Sequence, residues 1–480
     1  MNLAYGVKDR PTFGKMIVFA FQQVLAILAA TIVVPVIING NVADLIKNGA
    51  VAWTEGPTMN QAAALFGAGA GTIIYLLFTK FRSPVFLGSS FAFLGSMTAA
   101  FAGAISAQAG FVGLILGAVF AGLVYVAIAV AVKFAGVRWV NKLMPAVVIG
   151  PTVSLIGLAL AGNAIGDAMS KSKLGNYDAV NGVFNMDAAS WISLACALVT
   201  LITIVLCSVY GKKMGKLIPF IIGIAAGYAV ASCLTLIGIK TGNDALKVVD
   251  WSAFSNLKWV PEFTFLTAFK GIKEINGSYV ATIAFAYIPV AFVVFAEHIA
   301  DHKNLSSIIG EDLLKEPGLH RTLLGDGVGS MVGAFFGGCP NTTYGESIGC
   351  VAITGNASVV TILTTAILCM AASFFAPFVA LLSTIPSCVM GGVCITLYGF
   401  IAVSGLKMIQ KVDLGENRNL FVVATILITG IGGLALQIGS VTITKIAVAL
   451  ILGIIVNLIT PNKAEKAVKA EAEKVEAENE

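Results

Sequence analysis

Charge is what this sequence has least of. Only 11% of its 480 residues are Asp, Glu, Lys or Arg, while 58% are hydrophobic. A water-soluble domain carries about a quarter charged residues to solvate its surface. The composition therefore excludes a soluble globular protein of this size and makes the lipid bilayer its outer solvent. The formal net charge is only +5, and the basic residues sit in short loops, so no nucleic acid partner is expected. Histidine is also scarce: there are three, all between 298 and 320. The eight cysteines include no C-x-x-C pair. Neither a metal site nor an enzyme's His/Asp/Cys constellation is expected from such a set. The cysteines lie in apolar stretches, where thiols pack as small hydrophobes. The first apolar run, Ile17 to Ile38, is too long for a signal-peptide core and lacks a small-residue cleavage site, so it should stay as a helix.

Apolar runs long enough for spans of about 20 residues occur near 16–39, 59–79, 111–132, 143–162, 190–210, 217–239, 278–300, 319–337, 357–377, 379–403, 419–437 and 442–461. Two further segments, 84–104 and 339–356, are apolar but rich in Gly, Ser, Thr and Pro, and make poor continuous helices. Counting them gives an all-α polytopic membrane protein with 14 crossings. With the N-terminus inside, 21 of the 30 basic residues fall in inside loops, and five of the other nine lie in the long loop 240–277. That bias supports an even count with both termini cytoplasmic, and the expected location is a bacterial inner membrane.

The chain also repeats itself. Met144-Pro145-Ala146-Val147-Val148-Ile149-Gly150 resembles Ile385-Pro386-Ser387-Cys388-Val389-Met390-Gly391. These fall in segments 5 and 12, seven apart, and the two Gly- and Pro-interrupted segments, third and tenth, are also seven apart. An odd number of crossings per repeat inverts the second copy. Matching interrupted segments in two halves point to a transporter's binding site.

Carboxylates at membrane depth are costly and need a partner or a proton. Glu297 lies in Phe295-Ala296-Glu297-His298-Ile299-Ala300-Asp301-His302, and Glu346 in Cys339-Pro340-Asn341-Thr342-Thr343-Tyr344-Gly345-Glu346. Glu297 and Asp301 are four apart and share a helix face, while His298 points elsewhere. Asp301 and His302 read equally well as interfacial residues at a helix exit. Asp326, between Gly325 and Gly327, reads as a cap or brace. In the interrupted segments, Arg82-Ser83-Pro84-Val85-Phe86-Leu87-Gly88-Ser89-Ser90-Phe91 and the stretch 339–344, Pro and Gly predict a short extended piece followed by a half-helix. Non-helical backbone at this depth is tolerated only inside protein or along a cavity, and half-helix N-termini leave free N–H groups. A planar ligand with carbonyl oxygens and ring N–H groups suits such a site, the amides donating and the two glutamates accepting. Burial disfavours a charged carboxylate, so the proton is the expected coupling ion, through Glu297, Asp301 and Glu346. Sodium stays open as an alternative, and no other cofactor is implied.

Pro340-Asn341-Thr342-Thr343-Tyr344-Gly345-Glu346-Ser347-Ile348-Gly349, with the onward run to Gly355, closely resembles the signature of the nucleobase–ascorbate transporter family, in its uracil permease branch. Gly88-Ser89-Ser90-Phe91-Ala92-Phe93, Ala296-Glu297-His298 and Pro317-Gly318-Leu319-His320-Arg321 match as well, in order across the chain. The resemblance implies seven-plus-seven inverted repeats, with spans 3 and 10 as short strands plus half-helices. It implies a core domain from 1–134 and 278–377, a gate domain from 135–277 and 378–461, and a charged cytoplasmic tail at 462–480. It places Glu297 and Glu346 on the uracil ring, the backbone amides of Phe91 and Gly345 on its carbonyls, and Tyr344 close by. It also implies proton symport by alternating access and a homodimer through the gate. Two residues depart from the pattern. Ser347 stands where the family often has Asn, and Asp301 where uracil permeases have His. Purine members carry Asp at the latter place, which keeps a xanthine-type cargo as the alternative. A passive facilitator and a sulfate-type anion transporter are the remaining rivals, the latter disfavoured by two central glutamates.

Overall fold

The computed structural model describes residues 3–460 other than 137, 213, 256 and 439–440. The tail expected at 462–480 lies outside the described residues. The chain is predominantly helical, and eight of its described helices are long and apolar enough to cross a membrane. The longest are Phe13–Lys47 and Gly277–Ile309, with Pro35 and Pro289 inside them. Helix starts follow from local chemistry. Asn60, Ser106, Asp187 and Asn276 each accept a backbone N–H three residues on, which supplies one of the donors a helix start leaves unpaired.

Several expected boundaries move. The run 357–377 folds as helix Val359–Ala372, and a second helix, Ala376–Ser383, turns away from it by 82°. The next long helix therefore begins at Ser387 rather than 379, because Pro386 cannot continue a helix from its N-terminal side and serves as its N-cap residue. The last two apolar runs give shorter helices, Asn417–Ile431 and Lys445–Ile459, joined by an antiparallel hairpin of Leu436–Ile438 and Val441–Ile443. Another small hairpin, Tyr177–Asp178 with Val183–Phe184, lies in the loop before helix Ala188–Tyr210.

Packing separates two groups of helices. One contains Phe13–Lys47, Gln61–Phe78, Ala107–Ala135, Gly277–Ile309, Leu319–Gly337 and Val359–Ala372. The other contains Ala146–Ala159, Ala188–Tyr210, Pro219–Thr241, Ser387–Ile409 and the last two helices. Helix Thr264–Gly271, within the stretch 135–277, packs on the first group. Glycines bring main chains together inside each group. A Cβ on Gly67 would lie 2.5 Å from the Gly333 carbonyl oxygen, and one on Gly71 would lie 2.6 Å from that of Gly329. In the second group, a Cβ on Gly157 would lie 2.3 Å from the Tyr398 carbonyl oxygen, and one on Gly405 2.2 Å from the Ser154 nitrogen. The helices that begin at the repeated motif, after Pro145 and Pro386, are the pair joined by this second seam.

Both interrupted segments have strand-then-helix form. Leu87–Ser89 is a strand, followed by a 3₁₀ turn at Phe91–Phe93 and helix Leu94–Ala102. Asn341–Thr343 is a strand, followed directly by helix Gly345–Thr354. The strands pair antiparallel at the centre of the first group, Leu87 opposite Thr343 and Ser89 opposite Asn341. All six strand residues are buried, so their outer edges need partners. Thr72 Oγ1 accepts from Leu87 N–H at 2.9 Å, and the Tyr344 hydroxyl donates to the Ser89 carbonyl at 2.9 Å. Gly88 is required: a Cβ there would lie 2.3 Å from the Tyr344 ring.

Candidate functional site

A cavity of about 360 Å³ lies where the two groups face each other. The first group lines it with Phe91, Glu297, Asp301, Thr343, Tyr344, Gly345 and Glu346. Every site residue singled out in the sequence therefore meets in one place. The second group offers an almost wholly apolar wall, Val153, Phe220, Leu397, Phe400 and Ile401, with Ser404 as its one hydroxyl. Lys216 stands at the rim. The volume is in the range of small-molecule sites.

The polar groups divide into donors and acceptors. Phe91 follows Ser90, whose own N–H is tied to the Pro340 carbonyl at 2.9 Å. The next N–H, that of Phe91, has no acceptor among the described residues, and neither has that of Gly345 at the start of its helix. Glu297 and Glu346 are half-buried, and no other described residue donates a side-chain hydrogen bond to either. Asp301 is already engaged, accepting from Thr343 Oγ1 at 2.7 Å. Tyr344 turns its hydroxyl away from the opening and donates to the Ser89 carbonyl at 2.9 Å. The result is two main-chain donors without acceptors and two carboxylates without donors from other residues, around one space.

Helix 277–309 carries two stripes. Glu297, Ala300 and Asp301 face the cavity, and His298 and His302 face the interior, their rings 4.0 Å apart. His302 is thus no interfacial residue: it is 1% exposed, Nδ1 donates to the His298 carbonyl at 2.8 Å, and Nε2 lies 2.7 Å from the Tyr75 hydroxyl. His298 Nδ1 is 2.7 Å from Asp326 Oδ2. Its Nε2 donates at 3.0 Å to Thr322 Oγ1, which itself donates to the Leu319 carbonyl. Asp326 is therefore a brace, fastening the glutamate-bearing helix to helix 319–337. These ties satisfy most of the cluster's buried polar atoms, which would otherwise be costly, and leave Asp326 Oδ1 without a partner among the described residues.

One supporting residue escaped the sequence reading. Gln23, 3% exposed, donates through Nε2 to the Ser347 carbonyl at 3.2 Å and to the Ser347 hydroxyl. That hydroxyl also accepts from Phe86 N–H at 3.1 Å. Only the amide nitrogen can serve a carbonyl, which fixes the orientation of the Gln23 side chain. The small Ser347 side chain is part of a three-way joint between helix 13–47, the first strand segment and the Glu346 helix. A glutamine among apolar residues in the first helix was the available signal.

The chain matches the model of the Permease family (Xan_ur_permease) over residues 14–439. It is 38% identical to a uracil permease of Bacillus caldolyticus, over 96% of this chain and 95% of that one. It is 36% identical to a uracil permease of Bacillus subtilis, over 96% of each, and 32% identical to one of Escherichia coli, over 95% of this chain and 94% of that one. Among solved structures, the transmembrane domain of a cyanobacterial bicarbonate transporter, BicA, aligns with a TM-score of 0.56 at 17% identity, covering 91% of this chain and 96% of that one. The murine anion transporter Slc26a9 aligns at 0.58 with 12% identity, covering 91% and 67%. Those two show the fold alone. With the signature segment, the paired strands and this coverage together, the chain belongs to the permease family of nucleobase–ascorbate transporters, and is a multi-pass membrane transporter rather than an enzyme.

Proposed function

We propose that the protein imports a nucleobase, uracil first, by proton symport, with the two helix groups acting as a core that carries the site and a gate that it moves against. The observation that carries this reading is the pairing of free groups: the N–H of Phe91 and of Gly345, with the carboxylates of Glu297 and Glu346, around one cavity. Uracil presents ring N–H groups and carbonyl oxygens along one plane, and each finds its complement here. The close relatives at 32–38% identity are uracil permeases, which agrees with this ordering. Xanthine offers the same types of group, and Asp301 four residues after Glu297 favours it. The bond from Thr343 to Asp301 commits that carboxylate to the core, which supports uracil.

Loop contacts support 14 crossings with both ends of the chain on one side, which the basic residues assign to the cytoplasm. Loops on the side assigned by basic residues touch each other: Arg82 pairs with Glu316, Asn457 Nδ2 donates to the Lys142 carbonyl at 3.3 Å, and segment 3–9 lies on residues 355–359. Loops of the opposite side do the same. Ser172 Oγ donates to Asp44 Oδ1 at 3.1 Å, and Ser106 donates to Glu274. Lys216 at the cavity rim then marks an opening toward the cytoplasm. Nearly all polar ligand contacts belong to the core, so a core that slides against the smooth apolar gate wall carries its cargo with it. Glu297 and Glu346 are the coupling groups, with Asp301 beside them; a proton taken up outside and released inside accompanies the base.

The test is uptake of labelled uracil and xanthine into proteoliposomes under an imposed inward proton gradient, a sodium gradient or neither. Uracil accumulation that collapses with a protonophore is expected, and is lost in Glu297→Gln. Accumulation of xanthine instead would reverse the order of cargo. Accumulation driven by sodium would replace the coupling ion, and equilibration without accumulation would make the protein a passive facilitator.

A further inference from the structure

The turn that follows the Glu346 helix is closed by a distant part of the chain. Helix Gly345–Thr354 ends at Gly355 (φ +66°), and helix Val359–Ala372 begins after three more residues. The last carbonyls of one helix and the first N–H groups of the next therefore crowd a short turn with few partners of their own. Segment 3–9 supplies those partners. Ala4 and Tyr5 N–H donate to the Gly355 carbonyl at 2.8 and 3.2 Å. In return, Ala357 and Val359 N–H donate to the carbonyls of Tyr5 and Val7 at 2.9 and 3.1 Å. Ser358 Oγ donates to the Asp9 carbonyl at 2.6 Å, across 349 residues of sequence. Val7 is buried at 4% exposure, and the Tyr5 ring meets Phe19 edge-on with centroids 6.0 Å apart.

The same N-terminal unit reaches the other end of the helix. Segment 3–9 leads into helix 13–47, whose Gln23 bonds Ser347, the residue after Glu346. A ten-residue helix is too short to hold its own position in isolation, and binding constellations need supporting contacts to fix them within about 0.5 Å. We infer that segment 3–9 is a strap that positions the substrate site: by clamping the turn 355–359 it fixes the height of Gly345 N–H and the Glu346 carboxylate in the cavity. The strap itself touches no ligand. This rests on the reading that Gly345 and Glu346 hold the base.

Two variants test it, a chain lacking residues 1–9 and the full-length protein with Val7→Asp, which ejects the strap with every other residue kept. Uracil affinity is measured by calorimetry, uptake by its KM and maximal rate, and local opening by amide hydrogen exchange. In both variants the uracil Kd and KM should rise about tenfold with the maximal rate little changed. Faster exchange should be confined to 345–359, and Val7→Ile should behave as the parent. A peptide of residues 1–10, added to the truncated chain, should restore affinity. Uracil binding within twofold of the parent in both variants overturns the strap's role. So does faster exchange throughout the bundle, which would make the segment a general support of the fold. If the parent itself fails to bind uracil, the proposed cargo falls instead, and exchange confined to 345–359 still upholds the clamp.

Discussion

The two strand-and-helix segments make an instructive pair. They are locked in one antiparallel register, Gly88 opposite Thr342, and each opens a helix toward the same cavity. Their side chains differ sharply. After its strand the first segment runs Ser90, Phe91; the second runs Tyr344, Gly345, Glu346. One contributes a main-chain donor and an aromatic ring, the other a main-chain donor and a carboxylate. The backbone frame is duplicated while the chemistry is not, so a ligand between them meets two unlike edges. A frame built from main-chain bonds lets the side chain at 346 change without disturbing the strands.

The comparison breaks most severely if the charge is removed from the second segment. Glu346→Gln should lower uracil affinity about a hundredfold, in keeping with about 2–3 kcal/mol for a hydrogen bond to a charged group. Calorimetry on the purified protein checks this, and a change under threefold would mean the two segments are equivalent after all. Altering the frame comes next. In Gly88→Ala the new Cβ falls within 2.3 Å of the Tyr344 ring, which must shift and release its bond to the Ser89 carbonyl. Overpacking of this kind costs about 1–3 kcal/mol, read as a lowered thermal midpoint, with uracil protecting the variant less than it protects the parent. The smallest effect belongs to Ser90→Ala. The Ser90 hydroxyl is buried with no partner among the described residues, so its loss should leave affinity within twofold and stability unchanged or slightly raised. A large loss of affinity there would show the first segment acting through a side chain as well as its amide.

Much of the site was legible because its signals are local. Pro and Gly at 84, 88, 338 and 340 interrupt apolar runs, and backbone that cannot be helical at that depth has to pair. The four-residue spacing of Glu297 and Asp301 put both on one face, and both line the cavity. What stayed hidden depends on partners far apart in sequence. Nothing near His298 announces that Asp326 sits 28 residues away as its partner, and nothing near Gln23 announces Ser347, 324 residues on. Helix ends were misplaced where composition is uniform. The run 379–403 is apolar throughout, and only the 82° turn at 376–383 and Pro386 decide where the long helix starts. The hairpin at 436–443 carried a local signal, Leu436-Gln437-Ile438 and Val441-Thr442-Ile443 alternating about a Gly-Ser pair, which the apolar runs on either side absorbed.

The glycine seams have a mechanical meaning. Helices 61–78 and 319–337 touch main chain to main chain at Gly67, Gly71, Gly329 and Gly333, and helices 146–159 and 387–409 do the same at Gly157 and Gly405. Across the boundary between the two groups the glycine approaches end on side chains: Gly95 faces a Thr444 methyl at 4.0 Å, and Gly175 faces Lys47 Nζ. Bodies welded internally by backbone, with side-chain tips between them, suit the proposed sliding of one group against the other. A base that unites groups from both strand segments would then be less a key that bends a lock than a passenger in a car with rigid walls.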